Sequence, residues 1–161
     1  MKVISAITPD ELTDILLNLV EDDQLDFEYE VNDHIEMGFV KINCTVFDLK
    51  FCIWLIGDGP FYEDLWFTAY FGAYLDPEVL CTEFNNQHKF ASAVPSTVES
   101  EDGNDEDDRQ IIEVEKLVIL EGGVTDEHLD ATINLWIGML IRAEELFLGP
   151  TVEATDGDED E

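Results

Sequence analysis

From Leu25 to Phe71 the chain carries four segments in which apolar side chains recur at every second position, separated by breaks of a few residues. A period of two is the mark of a strand. Breaks this short join antiparallel neighbours, because a parallel partner needs a crossover of a dozen or more residues. Leu25, Phe27, Tyr29 and Val31 alternate with Asp26, Glu28 and Glu30, which describes a half-buried strand with an acidic outer face and a turn at Asn32 to His34. Phe39 to Val46, Leu49 to Ile56 and Leu65 to Phe71 follow, parted at Asp48 and at Gly57-Asp58-Gly59-Pro60. The expected result is an antiparallel meander.

Two of these strands are apolar on both faces. Leu49, Phe51, Ile53 and Leu55 point one way, and Cys52, Trp54 and Ile56 the other; Leu65, Phe67, Ala69 and Phe71 are set against Trp66 and Tyr70. An antiparallel sheet with helices on one side ordinarily leaves its other face polar. Something must cover the second face, either a helix of this chain or another chain. Trp54, Trp66 and Tyr70 are therefore the candidate partner-binding residues, since large aromatics supply much of the energy of protein interfaces.

Three helices frame the strands. Thr8-Pro9-Asp10-Glu11 is a capping box with proline at the first helical position, followed by Leu12, Ile15, Leu16 and Leu19 at helical spacing, so a helix is predicted from about Pro9 to Glu21. Asp76-Pro77-Glu78 opens a second by the same logic, ending near Asn85 to His88. Thr125 caps a third, whose stripe of Leu129, Ile133, Trp136, Ile137, Leu140, Ile141 and Phe147 runs until Gly149-Pro150. Between the last two helices lie a strand from Phe90 to Val98, with Pro95 suited to an edge, and a returning strand from Gln110 to Leu120. The expected fold class is α+β: an antiparallel sheet of about five strands packed with three helices, in the order α-β-β-β-(β)-α-β-β-α. Residues 1–150 are expected to form a single domain.

Charge narrows the function. Of 161 residues 39 are acidic and 7 basic, a formal charge of -32. Such a chain repels phosphate and anionic lipid, which argues against nucleic-acid and membrane partners. Residues 99–108 carry seven acidic side chains in ten and read as a solvated hairpin loop, and residues 151–161 carry six and read as a disordered tail. Mutual repulsion among so many carboxylates predicts that added sodium chloride raises the unfolding midpoint. A midpoint indifferent to salt would show the charges to be too far apart to interact.

Catalytic and metal chemistry find little support in the residues. Cys44, Cys52 and Cys81 form no C-x-x-C pair and read as reduced core thiols. His34, His88 and His128 lack the paired spacing of a metal helix, and no G-x-S-x-G, H-E-x-x-H or P-loop occurs. Asp102, Asn104, Glu106 and Glu113 match some positions of a calcium loop, but Asp107 stands where that loop needs glycine, and the flanking elements are strands. A non-enzyme without cofactor or metal is expected. The start of the chain lacks the basic and apolar run of a secretory signal, no stretch of about 20 apolar residues occurs, and the expected location is the cytoplasm.

Two motifs carry a family likeness. Phe84-Asn85-Asn86-Gln87-His88-Lys89-Phe90-Ala91-Ser92-Ala93 and Leu120-Glu121-Gly122-Gly123-Val124-Thr125-Asp126-Glu127 resemble segments of the YbjN-like family, which carries the label of bacterial sensory transduction regulators. The resemblance spans roughly Glu21 to Phe147. It departs from the family at Phe84, where tryptophan is usual, in the lengthened acidic loop, and in the acidic tail. The resemblance implies a fold similar to the type III secretion chaperones. Phe84, Asn85, Lys89, Phe90, Gly122, Gly123 and Thr125 are its motif residues, with structural roles expected: Asn85 to end a helix, and Gly122-Gly123 to supply positive φ in a turn. The reading that joins these features is a chaperone-like or regulatory adaptor that holds a protein partner or its own copy, as a homodimer. The alternatives are a nucleic-acid mimic and an enzyme.

Overall fold

A computed structural model describes residues 2–73, 76–98 and 109–148. Its elements run β1 (Val3–Ile4), α1 (Pro9–Val20), β2 (Phe27–His34), a 3-10 turn (Ile35–Met37), β3 (Phe39–Val46), β4 (Leu49–Ile56), β5 (Asp64–Phe71), α2 (Pro77–Gln87), β6 (Ser92–Val98), β7 (Arg109–Ile119), β8 (Val124–Thr125) and α3 (Asp126–Leu148). The fold is α+β. Six strands form one sheet in the order β2-β3-β4-β5-β7-β6, and β1 pairs with β8 in a second sheet of two. The ladders β2–β3, β3–β4, β4–β5 and β6–β7 are antiparallel. The sheet thus has six strands where about five were expected, and β1 with β8 is an addition: two-residue strands have no period to read.

The chain divides into two compact units, Met1–Ala69 with Lys116–Gly138, and Tyr70–Glu115 with Met139–Glu161. The first unit holds the meander. Val40, Ile42, Cys44 and Val46 of β3, Leu49, Phe51, Ile53 and Leu55 of β4, and Leu65, Phe67 and Ala69 of β5 are buried. Trp136 of α3 is fully buried against this layer, edge-on to Phe51 at 6.1 Å and to Phe67 at 5.4 Å between ring centroids. α1 contributes Leu12, Leu16 and Leu19 from one stripe. Its capping box is formed as predicted: Thr8 Oγ1 accepts from the Glu11 amide at 3.1 Å, and Glu11 Oε1 accepts from the Thr8 amide at 3.0 Å. That second bond, foremost, holds the Glu11 carboxyl below its ordinary range.

Strand ends differ from expectation in one place. β2 continues through Asn32 and Asp33 to His34, where a turn was expected, because β3 offers a full ladder from Phe27↔Val46 to His34↔Phe39. The chain turns instead at Ile35–Met37. The two-residue turn between β3 and β4 puts Phe47 at φ 50° and Asp48 at φ 69°, both left-handed, as a turn matched to the twist of a hairpin requires.

In the second unit α2 packs beside β6 and buries Pro77, Leu80, Cys81 and Phe84. Phe147 of α3 lies 5.5 Å from both Phe71 and Phe84. β6 is an edge strand carrying Pro95, as the sequence indicated. The acidic segment 99–108, Gly149-Pro150 and the tail 151–161 lie outside the described residues.

Candidate interaction face

The meander exposes the face opposite its core. Strand alternation places Phe39, Lys41, Asn43 and Thr45 of β3, Cys52, Trp54 and Ile56 of β4, and Asp64, Trp66 and Thr68 of β5 on that side. Trp54 and Trp66 are direct cross-strand partners, their rings 5.8 Å apart and tilted by 37°. Phe39 adds a third ring 5.3 Å from Trp54, and the Lys41 ammonium lies 4.8 Å from the centre of the Trp54 ring, a cation–π contact. Trp54 Nε1 donates to the buried Thr68 hydroxyl at 2.9 Å, which fixes the indole along the sheet. Both tryptophans remain half-buried, whereas Trp136 on the other face is fully buried.

Further apolar side chains flank this pair. β7 borders β5, and the Leu120 amide donates to the Glu63 carbonyl at 2.8 Å, so Leu117 and Ile119 stand beside Trp66 and Asp64 on the same face. Ile56, Leu117 and Ile119 are 39%, 54% and 55% exposed. Exposed apolar side chains gathered beside an aromatic pair make this face the candidate contact site. Alternation alone separated Trp54 and Trp66 from the core side. For Leu117 and Ile119 the sequence signal is that they alternate with Lys116 and Val118 on β7, a two-sided pattern like that of β4, while Phe39 carries no such signal.

Tyr70 has the same parity on β5 as Trp66. It belongs to the second unit, is 53% exposed, and its hydroxyl donates to Glu113 Oε2 at 3.5 Å. Burial, and then the neighbouring Glu115 charge, raise the Glu113 carboxyl above its ordinary value against the opposing hydrogen bond from Tyr70. An acid whose folded pKa is raised costs stability at pH above that pKa, and the cost fades as pH falls through it toward the unfolded value. Glu113→Gln, which can still accept from Tyr70, is therefore expected to stabilise the chain at neutral pH and to lose that advantage in mild acid. Urea midpoints across pH test this, and an advantage that grows toward acid would contradict it.

The motif residues have local duties. Asn85 sits inside α2 and does not end it; its side chain donates to the Ala93 carbonyl at 3.0 Å and accepts from the Ala93 amide at 2.9 Å, clamping β6 to the helix. The expectation that Asn85 caps α2 is corrected: His88 is the cap residue, its amide bonded to the Phe84 carbonyl. Asn85→Ala strands both Ala93 groups and should cost about 1–3 kcal/mol, read from thermal unfolding. Phe84 is buried against Phe147, its ring 4.5 Å from His88, while Lys89 is exposed and Phe90 half-buried. Gly122 and Gly123 both have φ 94°, and a Cβ on Gly123 would meet Val3 Cγ1 at 2.9 Å. Thr125 Oγ1 accepts from the His128 amide at 2.9 Å and caps α3 as expected.

The cysteines depart from expectation at one position. Cys44 and Cys81 are buried, but Cys52 is half-buried on the exposed face, its thiol donating to Asn43 Oδ1 at 3.3 Å. Burial raises the Cys52 thiol pKa, which keeps it protonated. Among the described residues no three of His, Cys, Asp and Glu converge where a metal ion would sit; Asp102, Asn104 and Glu106 lie outside them. His34 closes β2, His88 caps α2 and His128 stands in the first turn of α3. No helix among the described residues is long and apolar enough to cross a membrane. Comparison of the chain with protein-family models, with curated proteins and with solved structures finds no match.

Proposed function

We propose that this chain is a non-catalytic interaction protein, chaperone-like or a regulatory adaptor, that holds another protein chain on the Trp54–Trp66 face of its meander. One observation carries the reading: a cross-strand tryptophan pair continues into the exposed side chains Ile56, Leu117 and Ile119, on the side of the sheet away from the Trp136 core. The likeness of its two motifs to the YbjN-like family and to a chaperone-like fold is part of the same proposal, as is a cytoplasmic location, which suits three free cysteines.

A second copy is the other candidate occupant. Two chains of charge -32 repel, so a homodimer on this face would tighten as salt screens the repulsion. Nucleic-acid mimicry would show the opposite signature, binding to a basic protein that salt dissolves. The direct experiment places p-benzoyl-phenylalanine at Leu117 and, as a control, at Leu135, which is 60% exposed on α3. Irradiation in the source cells is expected to yield an adduct from position 117 and none from 135. Absence of any adduct at 117 would overturn the reading.

A further inference from the structure

We infer that the occupant of the tryptophan face is a cationic segment of a different protein, one presenting lysine or arginine beside aliphatic side chains. The inference rests on the docking role proposed above and adds the chemistry of the partner. The chain has no lysine or arginine between Lys50 and Lys89, nor between Lys116 and Arg142. Residues 51–64 and 117–121, which hold the end of β4, the start of β5 and the end of β7, thus carry carboxylates and no basic side chain. Asp64 pairs with Ile56 across the β4–β5 ladder and stands beside Ile119 on β7, so a carboxylate lies within the apolar patch. Asp58, Glu63 and Glu121, all exposed, lie at the same end of the strands.

On the opposite flank, Glu28 and Glu30 of β2 are exposed on the same side of the sheet. The aromatic pair itself favours cations, since one ring already holds the Lys41 ammonium at 4.8 Å. Lys41 lies over Trp54, one same-face row from Asp64, and Lys50 lies at the other end of β4, so the place for an incoming cation is the Asp64 row and not the Trp54 ring. An anionic or neutral occupant would leave Asp64 desolvated without a counter-charge, and a second copy would bring another net -32. A partner with aliphatic side chains over Trp66 and Leu117 and a basic one at Asp64 meets both requirements.

The test uses three short peptides of equal length: leucine and lysine in amphipathic order, the same with glutamate for lysine, and the same with serine for lysine. Each carries a fluorescent label and is titrated with the full chain at physiological salt. The leucine–lysine peptide is expected to bind saturably and the glutamate peptide not at all. Leu117→Ser, at an exposed position that leaves the core untouched, and Trp66→Ala, with folding checked by circular dichroism, should each weaken the lysine peptide by about tenfold. Asp64→Asn should weaken it several-fold and flatten its salt dependence. Equal affinity in all three variants would mean attraction to the general negative charge and would overturn the inference. Serine–leucine binding as tight as lysine–leucine, and lost in Leu117→Ser, would overturn the cationic assignment while leaving the docking role intact. Failure of every peptide, together with no adduct from position 117, would remove both.

Discussion

Trp136→Ala is expected to lower the unfolding temperature by roughly 10 °C or more. Truncating a large aromatic in a packed core costs about 3–5 kcal/mol, and a chain of this length shifts by roughly 2–4 °C per kcal/mol. Trp136 is the largest fully buried side chain, and it joins α3 to the meander through edge contacts with Phe51 and Phe67. Its indole N–H has no hydrogen-bond partner among the described residues, which is a cost the native state already bears. Trp136→Phe should therefore be tolerated far better than alanine, because it removes that orphan donor while keeping most of the ring. Thermal unfolding of both variants decides it: an alanine variant within about 1 kcal/mol of the parent would show that this contact does not hold the core together.

Trp54→Ala and Trp66→Ala are expected to behave in the opposite way. Each ring is half-buried and its main partners lie on the sheet surface, so the folding cost should be about 1–2 kcal/mol, including loss of the bond from Trp54 Nε1 to Thr68. Because the rings touch, the two losses should not add, with a coupling of about 0.5–1.5 kcal/mol in a double-mutant cycle. Partner binding, by contrast, should fall by about 2 kcal/mol or more for either variant, as for an aromatic at the centre of an interface. Variants that fold and still bind with parental affinity would contradict the assignment. Variants that unfold like Trp136→Ala would return both rings to the core.

Much of this arrangement is legible before folding, for reasons that can be named. β3 and β4 end where their alternation ends, because a two-residue turn leaves no room for slippage and every core residue would flip outward if the register moved by one. The two-sided character of β4 and β5 is likewise written in single residues, Trp54 against Ile53 and Trp66 against Phe67. What alternation cannot supply is the partner across the ladder. That Trp54 faces Trp66 depends on the length of the connection at residues 57–63, and that Leu117 joins them depends on a strand that reaches it 51 residues after Trp66.

Asn32-Asp33-His34 is polar and reads as a turn, yet the ladder of β2 with β3 outweighs that local preference. Asn85 reads as a helix stop for the same kind of reason: its partner, Ala93, is eight residues away and becomes visible only when β6 lies beside α2. Tyr70 shares the parity of Trp66 on β5, and its hydroxyl donates to Glu113, a partner that sequence spacing does not reveal. Parity is local information; membership of a patch is not.

Hydroxyl-radical footprinting of the purified chain and of the complex recovered from its source cells tests the central claim most directly, since it reads exposure residue by residue. In the purified chain, Trp54, Trp66 and Leu117 should oxidise readily while Trp136 and Phe67 stay protected. In the complex, those three should become protected together, with Leu135 unchanged. Trp54 and Trp66 as inert as Trp136 in the free chain, or equally reactive free and bound, would contradict the account.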